Sequence, residues 1–504
     1  MGWLWGVRRR FWDGLVLIKY RGNKPAAIPP APTPGRRLEP VSLARSLPGV
    51  STPHIVTADH VPVDEASRSK AWFVRFQVAM YRLFPAMQDG VPEVDPDPKT
   101  ALAEAYTAAH RRRFPSPILP PEYEPADLGT LAVASPYACY VERGDSGRYR
   151  WDLRGLDSYQ LHPGLLPLGV EVEFEVDEAA RALRATAIDC ELGRCRPGDA
   201  DWDRAQRLAL CAATNHLSLV RHYNWVHLAA GAPFAMATRN ALPADHPVTR
   251  LLWPHFYGTQ FTNHLTTQGQ MLKGGDFEGI FSYTHAGMCR LFDDSYQQHD
   301  LTVVDPVHDA VRRGIGGAGF DTPALDTYVA HFDVFRAHAS RYLRLYYGSD
   351  GDLRADEHVQ AWLAELDQLT PGGIGAVLGP SVTFDVVARL AAVLIYLATT
   401  HHEILGTGMW NYQMWTHVQP VRVYVSGRRE PVDVYQRLVN ANFMLNVRRA
   451  PLMQDYSHVA LDTGAADAFR AFNRDLRTLQ TALEQEPFAC WKVYPRALEA
   501  NINA

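Results

Sequence analysis

Four histidines carry the chemistry this sequence can offer. Three of them, His216, His222 and His227, lie in the apolar first half of the stretch HLSLVRHYNWVHLAAGAPFAMATRNALPADHP, which runs from His216 to Pro247. Two of these, His222 and His227, frame the pattern H-x4-H, and a further candidate, His402, lies far downstream in TTHHEILGTG. Neutral imidazole is a ligand for iron, zinc, copper and nickel alike. Three such groups with open coordination positions suit oxygen chemistry or Lewis-acid hydrolysis, and the residues themselves do not choose between them. No thiolates stand nearby, which argues against an iron–sulfur cluster. No glutamate follows the first histidine as in H-E-x-x-H, which argues against a zinc protease. The reading is a buried mononuclear metal site held between long helices.

That reading makes a structural demand. On a regular α-helix, residues five apart point roughly 140° away from one another, too far to share an ion. A π-helical widening, at about 4.4 residues per turn, brings them to within roughly 50°. The helix through His222 must therefore be irregular. With 20 histidines in 504 residues, about one pair at this spacing arises by chance, so packed or capping histidines are the competing account.

From Asp201 onward the pattern is mainly long helices. The segment 205–230 holds the histidine pair, and 323–347 and 354–369 are amphipathic at helical period. TFDVVARLAAVLIYLATTHH (383–402) is apolar on nearly every side. Its unbroken core is about a dozen residues and carries Asp385 and Arg389, so it reads as a buried core helix and not a membrane span. It delivers His401 and His402 from the middle of a helical core, and crossing helices that each supply imidazole are a common way to build a metal site in an α-protein. The convincing strands are VEVEFEV (170–176) and LRATAID (183–189), which read as a hairpin across the turn-like DEAA. Helical spacing also recurs over 66–112, and 115–125 is a proline-rich break.

The segment around the pair resembles the lipoxygenase family. That family's signature is a helix with H-x4-H, an apolar small-residue run, and then a stretch ending near HP…LL.PH. Here His222-Tyr-Asn-Trp-Val-His227 is followed by that pattern through His246-Pro247 and Pro254-His255, and His216 matches a non-ligand histidine that precedes the pair. The family's third histidine opens a segment of the form H-x3-N-F-G-Q, whose spacing His402 fits. The resemblance spans roughly residues 150 to 504. It implies a mainly α fold, a lipoxygenase-like helical catalytic domain around long core helices with a small β-hairpin element. It further implies one non-haem iron per chain, manganese being the other option. His222, His227 and His402 are the implied ligands, joined by the carboxylate of Ala504. The implied reaction abstracts a bis-allylic hydrogen from a polyunsaturated fatty acid and lets O2 trap the pentadienyl radical, giving a lipid hydroperoxide. Thr266, in TNHLTTQ, falls where the family sets product stereochemistry and is the implied substrate contact.

Several positions depart from the family. Its weak asparagine ligand falls at Gly406, its glutamine at Met409, and the acidic residue after the pair is replaced around Gly231 and Ala232. Its N-terminal β-barrel domain has no counterpart in residues 1–150, which read as helical and proline-rich. Partners of the ligands orient them and tune the metal. These departures keep two alternatives open: a hydroperoxide isomerase or oxygenase of another apolar metabolite on the same scaffold, and a catalytically silent lipid-binding scaffold.

Composition is that of an ordinary globular chain, with 47% apolar residues and a net charge of −5. No basic excess or recognised motif points to nucleic acid. Six cysteines are too few for a disulfide scaffold at this length, and read as reduced thiols in a cytoplasmic setting. Residues 1–60 read as an N-terminal arm, with a basic and aromatic segment and a proline-rich linker, and 61–504 as the helical catalytic domain. Trp3, Trp5, Phe11 and Trp12 suit either an interfacial helix in peripheral contact with a membrane or an arm packed on the body. The packed arm is preferred, because the basic and aromatic residues do not segregate by helical period.

Overall fold

The structure, a computed structural model, describes residues 51–68, 127–408, 419–426, 450–486 and 492–502 without a break, together with shorter pieces before residue 81. The body is mainly helical. A two-residue pair, β1 (Leu43–Ala44) and β2 (Thr57–Ala58), precedes a five-stranded antiparallel meander: β3 (Glu142–Arg143), β4 (Tyr149–Asp152), β5 (Glu171–Asp177), β6 (Ala182–Cys190) and β7 (Gly193–Cys195).

The expected hairpin is β5–β6, the centre of this sheet. Glu171 stands opposite Asp189 and Asp177 opposite Ala182, with the register shifting between Glu173 and Phe174. Alternation puts Val172 and Phe174 in the core while Glu171, Glu173 and Glu175 face the other way. Trp151 of β4 packs on Phe174 with ring centroids 5.6 Å apart. The DEAA turn closes because the Asp177 carboxylate accepts from the Ala180 amide at 3.0 Å. Expectation reached only the middle two strands, since β3, β4 and β7 are too short for alternation to register.

The principal helices are α1 (Trp202–His216), α2 (Ala232–Ala241), α3 (Pro247–Phe256), α4 (Thr259–Gly269), α5 (His285–Gln297), α6 (Pro323–Leu343), α7 (Glu357–Leu369), α8 (Phe384–Tyr396) and α9 (Thr463–Gln485). Between α1 and α2 the helix continues unbroken through a π-helical segment, Leu217–Gly231. After α8 two further π-helical segments follow, Leu397–His401 and Ile404–Gly408. α8 packs against α6, which in turn packs on α9, and α2 packs on α7. The run 384–406 is long and apolar enough to cross a membrane by length and composition, yet its most apolar window is 78% buried inside the protein, as a core helix requires. Each fully buried Leu, Ile or Val of α8 contributes about 1.5–3 kcal/mol relative to exposure.

The described part of the proline-rich tract lies on this body. Ile28 and Leu38 are buried. The Trp253 indole donates to the Pro29 carbonyl at 2.9 Å, and the Arg250 guanidinium to that of Pro32 at 2.9 Å. Further along, Arg239 of α2 is fully buried and grips Asp64 at 2.9 Å and Glu65 at 2.6 Å. The helices expected over 66–112 lie for the most part outside the described residues.

Candidate metal centre

The irregularity demanded by the H-x4-H pair is present. Leu217–Gly231 is π-helical over its whole length, and at its end the Ala232 amide bonds back five residues to the carbonyl of His227. Local sequence accounts for the widening. Pro233 sits inside a continuous helical run with no N–H to donate, and its ring crowds the carbonyl four residues back. Gly231 permits the resulting close approach, since a Cβ there would stand 2.5 Å from the Val226 carbonyl oxygen. The wider turn faces both imidazoles the same way: His222 Nε2 and His227 Nε2 are 3.3 Å apart.

His402 joins them from the end of α8. The three rings pack with centroids 4.9 to 5.1 Å apart. One nitrogen from each lies within 4.8 Å of the others, and all three residues are buried. Thr399 of the preceding π segment bonds back to the Ile395 carbonyl at 2.7 Å, a contact that loosens the regular ladder and helps bend the helix.

The ring nitrogens fit a cation. Asn263 of α4 donates through its amide to the His227 carbonyl at 2.8 Å and turns its Oδ1 toward His227 Nδ1 at 3.2 Å. That network puts the proton on Nδ1 and leaves a lone pair on Nε2. Two ring nitrogens in contact at 3.3 Å suit a shared ion, since ligands about 2.1 Å from one metal stand roughly 3 Å apart. His222 Nδ1 and both nitrogens of His402 are buried and have no hydrogen-bond partner among the described residues. An orphaned polar atom costs about 1–3 kcal/mol, and a metal at the centre would engage one nitrogen of His402 together with His222 Nε2 and His227 Nε2. Burial first, then the neighbouring His402, pushes His227 down to about 3. His222 is likewise pushed well down by burial, then by His227 and His402. Both shifts keep His222 and His227 neutral, as metal coordination would require.

Other singled-out residues sort around this cluster. His216 is apart from it, bonded through Nδ1 to the Tyr140 hydroxyl at 2.9 Å. His401 faces a neighbouring cavity. Glu403 is buried, with a carboxylate oxygen 3.6 Å from His402 Nδ1. His246 caps α3 through the Val248 amide and reaches Asp356 at 3.0 Å. His255 donates to the Ala500 carbonyl at 2.6 Å. Gly406 lies against the His222 ring, where a Cβ would stand 2.8 Å from Nε2. Thr266 is buried on α4, three residues beyond Asn263. Ala504 and Met409 lie outside the described residues. The tail up to Ile502 enters the core: the Ala500 amide donates to the Ala450 carbonyl, Asn501 donates to the Tyr257 carbonyl at 2.6 Å, and Ile502 is fully buried where a Gly231 Cβ would meet it at 2.7 Å.

Asn263 escaped sequence reasoning. It stands three residues before Thr266 in the same TNHLTTQ segment, and a lone amide on a helix has no spacing signature.

Three imidazoles converge from two π-widened helices of a helical body, an arrangement that could hold one metal ion. A lipoxygenase family model matches residues 170–443. The chain belongs to the lipoxygenase family. It is 25% identical over 320 residues to linoleate 9S-lipoxygenase 2 of Oryza sativa subsp. japonica, covering 55% of this chain and 36% of the relative. It is 28% identical over 214 residues to the linoleate 9/13-lipoxygenase of Pseudomonas aeruginosa, covering 41% and 30%. The matched stretch thus spans about a third of these relatives' length. Among solved structures, a calcium-dependent 11R-lipoxygenase superposes with a TM-score of 0.75 at 16% identity, covering 91% of this chain and 78% of that one. A lipoxygenase crystallised with arachidonate superposes at 0.74 and 14% identity, covering 91% and 79%.

Proposed function

We propose that this chain is a non-haem iron dioxygenase that converts polyunsaturated fatty acids to hydroperoxides. The observation that carries the reading is the convergence of one ring nitrogen each from the buried His222, His227 and His402. The relatives' names, linoleate lipoxygenases, and the arachidonate complex support the substrate class.

In this reading the three histidines hold iron, or manganese in its place, and the Ala504 carboxylate completes the set. The burial of Ile502 against Gly231, which brings the tail into the core, supports that fourth ligand. Bound iron would supply the one-electron oxidation that removes a bis-allylic hydrogen before O2 adds. The chain does the rest. Asn263 fixes the tautomer and tilt of His227. Burial in an apolar helical core keeps His222 and His227 deprotonated. Thr266, on the same helix as Asn263, is the proposed substrate contact.

The test is metal analysis of the purified protein with oxygen uptake and conjugated-diene absorbance on linoleate. About one iron per chain with uptake and a diene is expected. Iron without uptake, but with consumption of a fatty-acid hydroperoxide, would replace the dioxygenase by an isomerase. Gly406 in place of an amide ligand is the feature that favours that second reading. Absence of metal would leave a lipid-binding scaffold. Lengthening the tail by one residue beyond Ala504 should cut turnover sharply, and unchanged turnover would remove the carboxylate from the ligand set.

A further inference from the structure

α4 carries the amides that meet the histidine-bearing helix. Gln260 donates to the Ala232 carbonyl at 3.2 Å, and Asn263 is the partner of His227. Both lie in its first two turns, so where α4 begins decides where both amides fall. The first amides of a helix need acceptors from outside its own ladder. Here the residue before the helix is Gly258, which has no side chain to offer one.

The cap comes from 195 residues upstream. One carboxylate oxygen of Glu65, Oε2, accepts from the amides of Gln260 and Phe261 at 3.1 and 3.3 Å. These are the second and third residues of α4, whose amides a local capping side chain would take. A negative charge also suits a helix N-terminus. The other oxygen, Oε1, accepts from Arg239 of α2 at 2.6 Å, and both side chains are fully buried. Burial pushes the Glu65 carboxyl up from its ordinary range, and Arg239 opposes that shift. Asp64 engages the same arginine at 2.9 Å, from a carboxylate that is one-third exposed. Two neighbouring carboxylates thus share Arg239, and Glu65 alone of the two caps α4 among the described residues.

We propose that Glu65 is a positioning residue for the histidine centre: it fixes α4 so that Gln260 and Asn263 meet the π-helical segment that bears His227. The role in metal binding rests on the reading of that centre as an iron site.

The test compares Glu65→Ala with Asp64→Asn in the purified full chain. Affinity for ferrous iron is measured by competition with a chelator, and amide exchange is followed in the same proteins after metal removal. Glu65→Ala should lower iron affinity roughly tenfold or more, the scale for losing a partner that orients a ligand. It should also speed exchange in 259–269 and in 217–232. Asp64→Asn alters the arginine's other carboxylate and leaves the cap, so both readings should stay at wild-type level. If Glu65→Ala strands Arg239 and fails to fold, the double variant Glu65→Leu with Arg239→Met removes both charges at similar volume, a change that buried ion pairs often tolerate. It then decides the matter by the same readings. Wild-type iron affinity in the folded Glu65 variant, unchanged exchange in 217–232, or an equal loss in Asp64→Asn overturns the proposal. The metal reading fails separately: a wild-type protein that holds no iron removes it, and exchange in 217–232 still decides whether Glu65 positions the histidine helix.

Discussion

Gly406 touches the ring of His222: a side-chain carbon at 406 would stand 2.8 Å from Nε2 and 3.0 Å from Cε1. The position where related enzymes are expected to offer an amide is therefore closed by the first histidine itself. Gly406→Ala should push the imidazole aside while sparing the fold, because the ring is the movable end of a side chain. The expected result is a metal affinity lowered about tenfold or more with a melting temperature close to wild type. Unchanged iron content in metal analysis would show that the ring tolerates the methyl.

Under the proposed function the three histidines hold one ion together, so removing any of them should empty the site. His227→Ala and His402→Ala are each expected to lose stoichiometric metal and remain folded, at a stability cost of about 2–3 kcal/mol for the truncated core side chain. Metal content at wild-type level in either variant would exclude that residue.

Asn263 holds His227 from both sides, through ring and carbonyl. Asn263→Ala should lower metal affinity about 10- to 100-fold, the usual effect of losing a partner that orients a ligand. A merely structural role would lower the melting temperature without changing affinity in the folded protein.

Gly231 and Ile502 share one space, and Gly231 also crowds the Val226 carbonyl. Gly231→Ala should destabilise by about 1–3 kcal/mol through overpacking. Ile502→Ala in the same chain should restore only part of it, since the backbone contact remains. A neutral Gly231→Ala in denaturant unfolding would mean that the tail packs elsewhere.

Acid should unfold the metal-free protein. His216, His227 and His401 are pushed down to about 3, and His255, His299 and His331 to about 4, in each case chiefly by burial. Their ordinary value is about 6.5, so the unfolded chain binds more protons than the folded one below that pH. The stabilisation is fully present above about 6.5 and is lost as pH falls toward 3 to 4, by at most about 1.4 kcal/mol per histidine per pH unit. A melting temperature flat between pH 7 and 5 would show that these rings are not buried.

Much of the centre was legible in the chain. Spacing and apolar context singled out His222, His227 and His402, and the five-residue spacing required a π-widened helix, which Leu217–Gly231 supplies. Alternation located β5 and β6, and helical period located α6, α7 and α8. These are short-range consequences of side-chain periodicity, which the sequence determines by itself. The tertiary structure alone decided the long-range pairings. It brought Asn263 to His227 across 36 residues and Ile502 to Gly231, and closed position 406 against His222. None of these has a local signature. Each depends on which helices pack face to face, and that is settled by the burial of surfaces far apart in the chain.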